Sequence, residues 1–470
     1  MTQCDPTPGA ANTCPSGYHC AADGFCDALC TPGGNECGDG YTCTPDGRCK
    51  GDNECTGLEC NVVNCVGQGK PDTTIRGTVY APNGTLPLYG IKVYVPNAAV
   101  PPISDGAECT RCVNDDQLPG SPVNGVAATT DEAGNFTLAG VPSGQNIPLV
   151  ITSGKWRRQI TIPAVAECTD TNLGAAETRL PKNRTEGDMP RIALTTGNAD
   201  SLECLLRRIG IDDAEIGTNG DDRRVHLYAG NGPSSFTNGF GGGSGAIPIA
   251  TDFWNDVNKL KPYDIVILSC EGSQRSQTKP QAALDAMKAY ADLGGRVFSS
   301  HWHNIWIGGN WNENNPPTVA PGVWPQVAQW ENASNPQNPI DIIDEVNNPK
   351  GSAFATWMMN VMGSTIRGEI PITNGRNTVV SIDNARAERW TYLKSNMRPQ
   401  NFQFTTPNEA PLENRCGKVV FSDMHVSGNG STSAYPTGCG DYPTPRELTP
   451  QEKALAFMLF DLASCVGVLL

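Results

Sequence analysis

Hydrophobic and polar positions change rhythm along the chain. Between residues 72 and 165, TIRGTVYAPNGTLPLYGIKVYVP alternates apolar and polar residues around an Asn-Gly turn, and TTDEAGNFTLAGVPSG and NIPLVITSGKWRRQITIP continue as short strands. Successive side chains of a strand face opposite sides, so this period predicts strands with one buried face, punctuated by Gly and Pro turns. Their number and shortness predict an antiparallel β-sandwich. From residue 188 the rhythm differs. RIALTT, VHLYAG, DIVILSCEG, RVFSSHWHN and GKVVFSDMHVSG are short apolar runs, and DSLECLLRRIG, TDFWNDVNKLKPY and QAALDAMKAYADLGG between them read as helices. Apolar strands alternating with amphipathic helices predict a mostly parallel, flavodoxin-like α/β sheet covered on both faces. TPQEKALAFMLFDL predicts a terminal helix with Thr449 as cap, Pro450 in first position and Glu452 closing a capping box.

Before residue 68 neither rhythm holds, and cysteine recurs instead. CPSGYHCAADGFC at 14–26 and CGDGYTCTPDGRC at 37–49 share the spacing C-x5-C-x5-C, and Cys4 and Cys30 lie upstream of them. Eleven of 19 cysteines fall between Cys4 and Cys65. Zinc sites favour paired CxxC motifs, so this spacing predicts disulfides, whose connectivity sequence cannot assign. Disulfides imply an oxidising, extracytoplasmic compartment, secreted or cell-surface. His19 is expected to be a solvated loop residue. A chain of 470 residues exceeds one ordinary core. The expected organisation is therefore multidomain: cysteine-rich disulfide repeats at 1–68, a sandwich at 72–165 and the α/β domain at 188–470.

Charge removes one class of partner. Lys plus Arg number 34 against 49 Asp plus Glu, a net charge of −15, which repels a phosphate backbone. No nucleic acid is expected, and the basic cluster Lys155, Arg157 and Arg158 is too small to change this. ALAFMLFDLASCVGVLL is interrupted by Asp461 and reads as a buried helix, so no transmembrane segment is expected. Met1 precedes TQCDP with no basic or apolar leader region, so the numbering is expected to begin near a mature N-terminus.

Two resemblances rest on particular residues. IRGTVY, PLYGIKVYV and TTDEAGNFTLAGVPSG resemble the carboxypeptidase regulatory-like, transthyretin-like sandwich, which implies packing or adhesion and no catalysis. YDIVILSCEG, ALDAMKAYADLGGRVFSSHWHN and GKVVFSDMHVSG resemble the class I glutamine amidotransferase-like fold and its ThuA-like branch. That resemblance implies a nucleophilic cysteine at the turn after the Gly-Gly strand and a histidine on the late strand. Here the turn carries Ser300 and His301 and no cysteine, while His425 matches the histidine position. Taken end to end, the chain resembles secreted bacterial proteins with a carboxypeptidase regulatory-like domain.

In open α/β sheets ligands bind at the carboxyl ends of the strands. The candidates there are Asn198 after the first strand, Ser269, Cys270 and Glu271 after the third, Ser299 to His303 after the fourth, and Ser422, Asp423 and His425 after the late strand. An extended 301–303 stretch directs His301 and His303 the same way. One function class is a metal-assisted or acid/base hydrolase. Its candidate catalytic groups are His301, His425, Ser300 and Glu271, and its candidate metal ligands are His301, His303, His425 and Asp423, with a divalent ion such as zinc. The HxH spacing lacks the HExxH pattern that places two ligands and a base on one helix. The other class is a saccharide- or peptide-binding protein. Six of nine tryptophans, at 302, 306, 311, 324, 330 and 357, lie in or after the fourth strand exit, all but Trp302 inside a Trp-rich insertion at about 305–358. Indole faces beside Asn amides suit sugar rings or peptides, which makes Trp302, Trp306, Trp311, Asn304 and Asn198 the candidate binding residues. The alternative is that these indoles form the insertion's own core. Cys270 is expected to be disulfide-paired, although an odd cysteine total leaves at least one unpaired within the chain. The Gly-rich run at 239–245 lacks a GK[ST] ending and reads as a connector, and His226 as a packed strand residue.

Overall fold

The computed structural model describes residues 55–312, 321–373, 375–426 and 433–467, and before these only residues 4, 5, 7, 14, 19, 20, 26, 27, 30, 41–43 and 49–51. Most of the two cysteine repeats, the side chain of His19 and residues 313–320 of the insertion lie outside the described residues. The architecture is multidomain, with disulfide-rich N-terminal segments, a β-sandwich and a large mixed α/β sheet.

Seven strands build the sandwich: β1 (Thr74–Thr78), β2 (Lys92–Tyr94), β3 (Ala128–Thr129), β4 (Asn135–Ala139), β5 (Gly144–Ser153), β6 (Trp156–Val165) and β7 (Asp170–Asn172). They form two sheets of order β6-β5-β2-β3 and β7-β1-β4, antiparallel except for the β7–β1 pair. In β4, Phe136 and Leu138 are buried between exposed Asn135, Thr137 and Ala139, the two-residue period of the sequence in space.

A ten-stranded sheet follows. Its strands are β8 (Ile192–Thr196), β9 (Ile216–Gly217), β10 (Val225–Ala229), β11 (Ile265–Leu268), β12 (Arg296–Ser300), β14 (Ile340–Ile343), β15 (Glu369–Pro371), β17 (Glu388–Leu393), β18 (Pro399–Thr406) and β19 (Gly417–Ser422). A separate ribbon pairs β13 (Ala328–Trp330) with β16 (Val379–Ile382). The order β9-β10-β8-β11-β12-β19 is parallel throughout, and β18-β17-β14-β15 extend it antiparallel. That extension was invisible as a sheet in the sequence pattern, because its polar strand residues are satisfied by long-range partners. Asn401, for example, donates to Thr391 Oγ1 at 2.7 Å.

Among the described residues, four α-helices longer than one turn complete the unit: α1 (Leu202–Arg208), α2 (Gln281–Asp292), α3 (Gly351–Asn360) and α4 (Pro450–Ala463). Ile265 and Ile267 of β11 enter the core that holds α1 and α4, whereas Val266 and Leu268 enter the core that holds α2. Strands buried on both faces read as unbroken apolar runs for this reason. The expected single helix at 251–263 is two one-turn helices, Thr251–Trp254 and Val257–Leu260, broken where Asp256 caps the second. Asp461, which interrupts the apolar C-terminal run, is buried in α4 and held by Lys350 and by Lys418 at 3.1 Å. No described helix is long and apolar enough to cross a membrane.

Candidate functional site

The strand order reverses beside β8, so the exits of β8 and β11 define the switch-point crevice. Gly197 lets them close on each other: a Cβ there would lie 2.1 Å from the Cys270 carbonyl oxygen. β12 ends at Ser300, and the next residue, His301, has φ 41°, left-handed backbone unusual for a residue with a Cβ. A tight turn, His301–Asn304, then leads into the one-turn helix Ile305–Gly308.

This turn corrects the expectation that His301 and His303 point the same way, because helical turning replaces the two-residue alternation. His303 Nε2 donates to the Ser269 carbonyl at 2.9 Å, and Trp306 Nε1 donates to His303 Nδ1 at 3.0 Å. Both ring nitrogens of His303 are therefore committed, and burial holds its pKa well below the usual histidine value. His301 instead approaches Cys270, with Nδ1 3.4 Å from Sγ, and its ring centroid lies 5.1 Å from that of His425. Ligand-capable atoms of Cys270, His301 and His425 all fall within 4.8 Å of one another, and all three residues are buried.

Cys270 thus corrects the expected disulfide: it is a buried free thiol. Burial pushes its pKa up to about 12, although the nearby backbones of Trp302 and Gly272 pull the other way. Burial, the neighbouring His425 and the nearby Arg376 charge hold His301 well below its ordinary value, and burial with Arg376 does the same to His425. At neutral pH these are three uncharged donors. Neither ring nitrogen of His425 has a hydrogen-bond partner among the described residues.

The remaining candidates are engaged nearby. Ser300 Oγ donates to Asp200, whose other oxygen accepts from the Val426 amide at 2.7 Å; burial pushes Asp200 up to about 6. Glu271 is buried in an ion pair with Lys279. Asp423 accepts from the Thr378 amide at 2.8 Å and from its hydroxyl at 2.9 Å, and lies outside the Cys270–His301–His425 group. The geometry therefore brings together His301 and His425 with Cys270, in place of His303 and Asp423. Sequence reasoning also passed over Asp200 and Arg376, which sit in loops with no periodic signal. For Cys270 a signal existed: an odd cysteine total and a position directly after a strand.

The tryptophans divide. Trp306 and Trp324 are buried in the α2-side core, so Trp306 is a packing residue here. Trp357 lies on α3, packs on Phe457 and donates to the Pro87 carbonyl at 2.8 Å, outside the aromatic row. Trp302, Trp311 and Trp330 are half-buried and form that row, with centroids 5.9 Å and 6.3 Å apart; Trp302 lies 4.5 Å from the His301 ring. Gln274 holds the row's base, donating to Asn304 Oδ1 at 2.9 Å and the Gly309 carbonyl at 3.0 Å. Asn304 Nδ2, both Asn310 amide atoms and Trp311 Nε1 are buried without partners. Half-buried Asn198 lies beside Gly272, whose added Cβ would meet its Oδ1 at 2.8 Å. A cavity of about 310 Å³ lies elsewhere, lined by Tyr89 and Lys92 of the sandwich and Trp357, Lys418 and Asp461, and includes none of this cluster.

No protein-family model and no curated protein matches the chain. Among solved structures, a ThuA-like protein from Bacteroides uniformis ATCC 8492 shares 12% identity over 57% of this chain and 90% of its own, with a TM-score of 0.30. A type II cohesin–X-dockerin complex from Acetivibrio cellulolyticus shares 17% identity over 27% of this chain and 78% of its own, at 0.16. An exo-β-1,4-mannosidase from Opitutaceae bacterium strain TAV5 shares 11% identity over 53% of this chain and 32% of its own, at 0.22. Scores this low carry no argument about function. Eight disulfides among the described residues fit an oxidising, extracytoplasmic setting.

Proposed function

We propose that the chain is a secreted or cell-surface binding protein that holds a saccharide or peptide segment at the carboxyl ends of its parallel strands. The observation that supports this is the half-buried row Trp302–Trp311–Trp330 beside the β12 exit. Indole planes offer apolar area at low entropic cost, and neighbouring amides orient a polar ligand. A hydrolase finds less support, since the Ser300 hydroxyl is committed to Asp200 and Glu271 to Lys279.

Tryptophan fluorescence against glycan and peptide panels tests the reading. A saturable change is expected, and the double variant Trp302→Ala/Trp311→Ala should weaken binding at least about tenfold, roughly 1.4 kcal/mol. Unchanged fluorescence across both panels, or undiminished affinity in the double variant, overturns it.

A further inference from the structure

The turn after β12 concentrates its chemistry in a small volume. Cys270 from the β11 exit, His301 from the left-handed turn and His425 after β19 converge from three separate strands, and each is buried. A hydrogen-bonded cluster accounts for part of this, because an S–H donor 3.4 Å from Nδ1 satisfies Cys270 and His301. It leaves His425, at 1% exposure, with two ring nitrogens that have no partner among the described residues. An unsatisfied buried polar group is destabilising, so a chain that places an imidazole this way has a use for its lone pair.

We propose that Cys270, His301 and His425 bind one divalent transition-metal ion of the zinc type through a thiolate and two neutral imidazoles. One soft sulfur and two borderline nitrogens suit zinc, whereas calcium and magnesium select oxygen cages. In a tetrahedral zinc site, bonds of about 2.3 Å to sulfur and about 2.0 Å to nitrogen set ligand atoms roughly 3.3–3.6 Å apart. The Sγ–Nδ1 separation of 3.4 Å falls in that range, and all three ligand atoms lie within 4.8 Å of one another.

Proton and charge balance as follows: the Cys270 S–H bond breaks, an S–metal bond forms, and one proton leaves to solvent. The backbones of Trp302 and Gly272 act on the sulfur in the direction that favours a thiolate, as outer groups around a metal-bound sulfur do. Arg376 opposes a second cation near both imidazoles; the thiolate charge and the carboxyl of Asp200, which acts on Cys270, offset it. Cys4, Cys14 and Cys26 also lie within ligand range of one another, but disulfides occupy their sulfurs. The ion would lie at the foot of the Trp302–Trp311 row without depending on it.

The test is cobalt titration of the full, untagged chain after chelator dialysis. One Co²⁺ per chain is expected, with a thiolate-to-cobalt charge-transfer band that zinc bleaches on displacement. Cys270→Ser should remove the band while circular dichroism stays native, and His425→Ala should weaken binding beyond the roughly 10–100-fold typical of losing an outer contact. Trp302→Ala/Trp311→Ala should keep the band, which separates this site from the proposed ligand face. Absence of the band from the native wild-type chain, or its persistence in Cys270→Ser, overturns the proposal. If the variants fail to fold, the wild type alone decides: zinc must raise its melting temperature and calcium must not.

Discussion

Asp341 in β14 shows how much one buried residue can decide. It is fully buried, accepts one hydrogen bond from Thr391 Oγ1 at 3.0 Å, and leaves its other oxygen without a partner. Burial pushes its pKa up to about 8, so the folded chain keeps a proton that the unfolded chain releases above its ordinary value of 3.8. Its contribution is fully present below that unfolded value and is lost as pH rises toward 8. Asp341→Asn is expected to remove a slope of up to about 1.4 kcal/mol per pH unit between pH 5 and 7, measured by urea denaturation of both proteins. No local pattern announced this residue, since IDII reads as half-polar until the antiparallel neighbour β17 covers it. His301 is a similar case. Its position after a strand was legible, but its left-handed backbone, and with it the separation from His303, came from the turn.

At the scale of elements, α4 was the most legible. Thr449 accepts from the Glu452 amide, Glu452 accepts from the Thr449 amide at 2.8 Å, and Pro450 opens the helix, as the TPQE run predicted. A capping box is readable because its partners are three residues apart. Glu452 also pairs with Arg208 of α1, both side chains wholly buried, and nothing local signals that contact. Thr449→Ala is therefore expected to cost about 1 kcal/mol, as for a lost cap, and Glu452→Ala more, because it also removes one of the two carboxylates, with Asp441, that pair with the buried Arg208 guanidinium. Equal losses in chemical denaturation would contradict this division. The parallel strands were legible for a comparable reason: burial on both faces demands apolar residues at every position. The extension β14, β15, β17 and β18 escaped because polar residues satisfied across strands leave no periodic trace.

At the scale of the molecule, the sandwich and the α/β sheet share one hydrophobic cluster, with Trp156 against Phe460 and Tyr89 stacked on Phe457. Two disulfides tie the same surfaces: Cys109–Cys416 and Cys112–Cys465 span 307 and 353 residues. Cys109 and Cys112, only three positions apart, are thus each bridged to the α/β unit and not to one another. Replacing Cys112 and Cys465 together by Ser is expected to cost about 2–4 kcal/mol by denaturation, with faster proteolysis between the two units. Unaltered stability would mean that the shared core alone holds them. The amino-acid sequence by itself determined the two sheet types, the capped start of α4 and a disulfide-rich character that fits an oxidising setting, because period, capping and cysteine density act over a few residues. Only the tertiary structure decided which cysteine stays free, which histidines meet, and which indoles face outward. Those outcomes depend on strand order and turn geometry, which bring together residues more than a hundred positions apart.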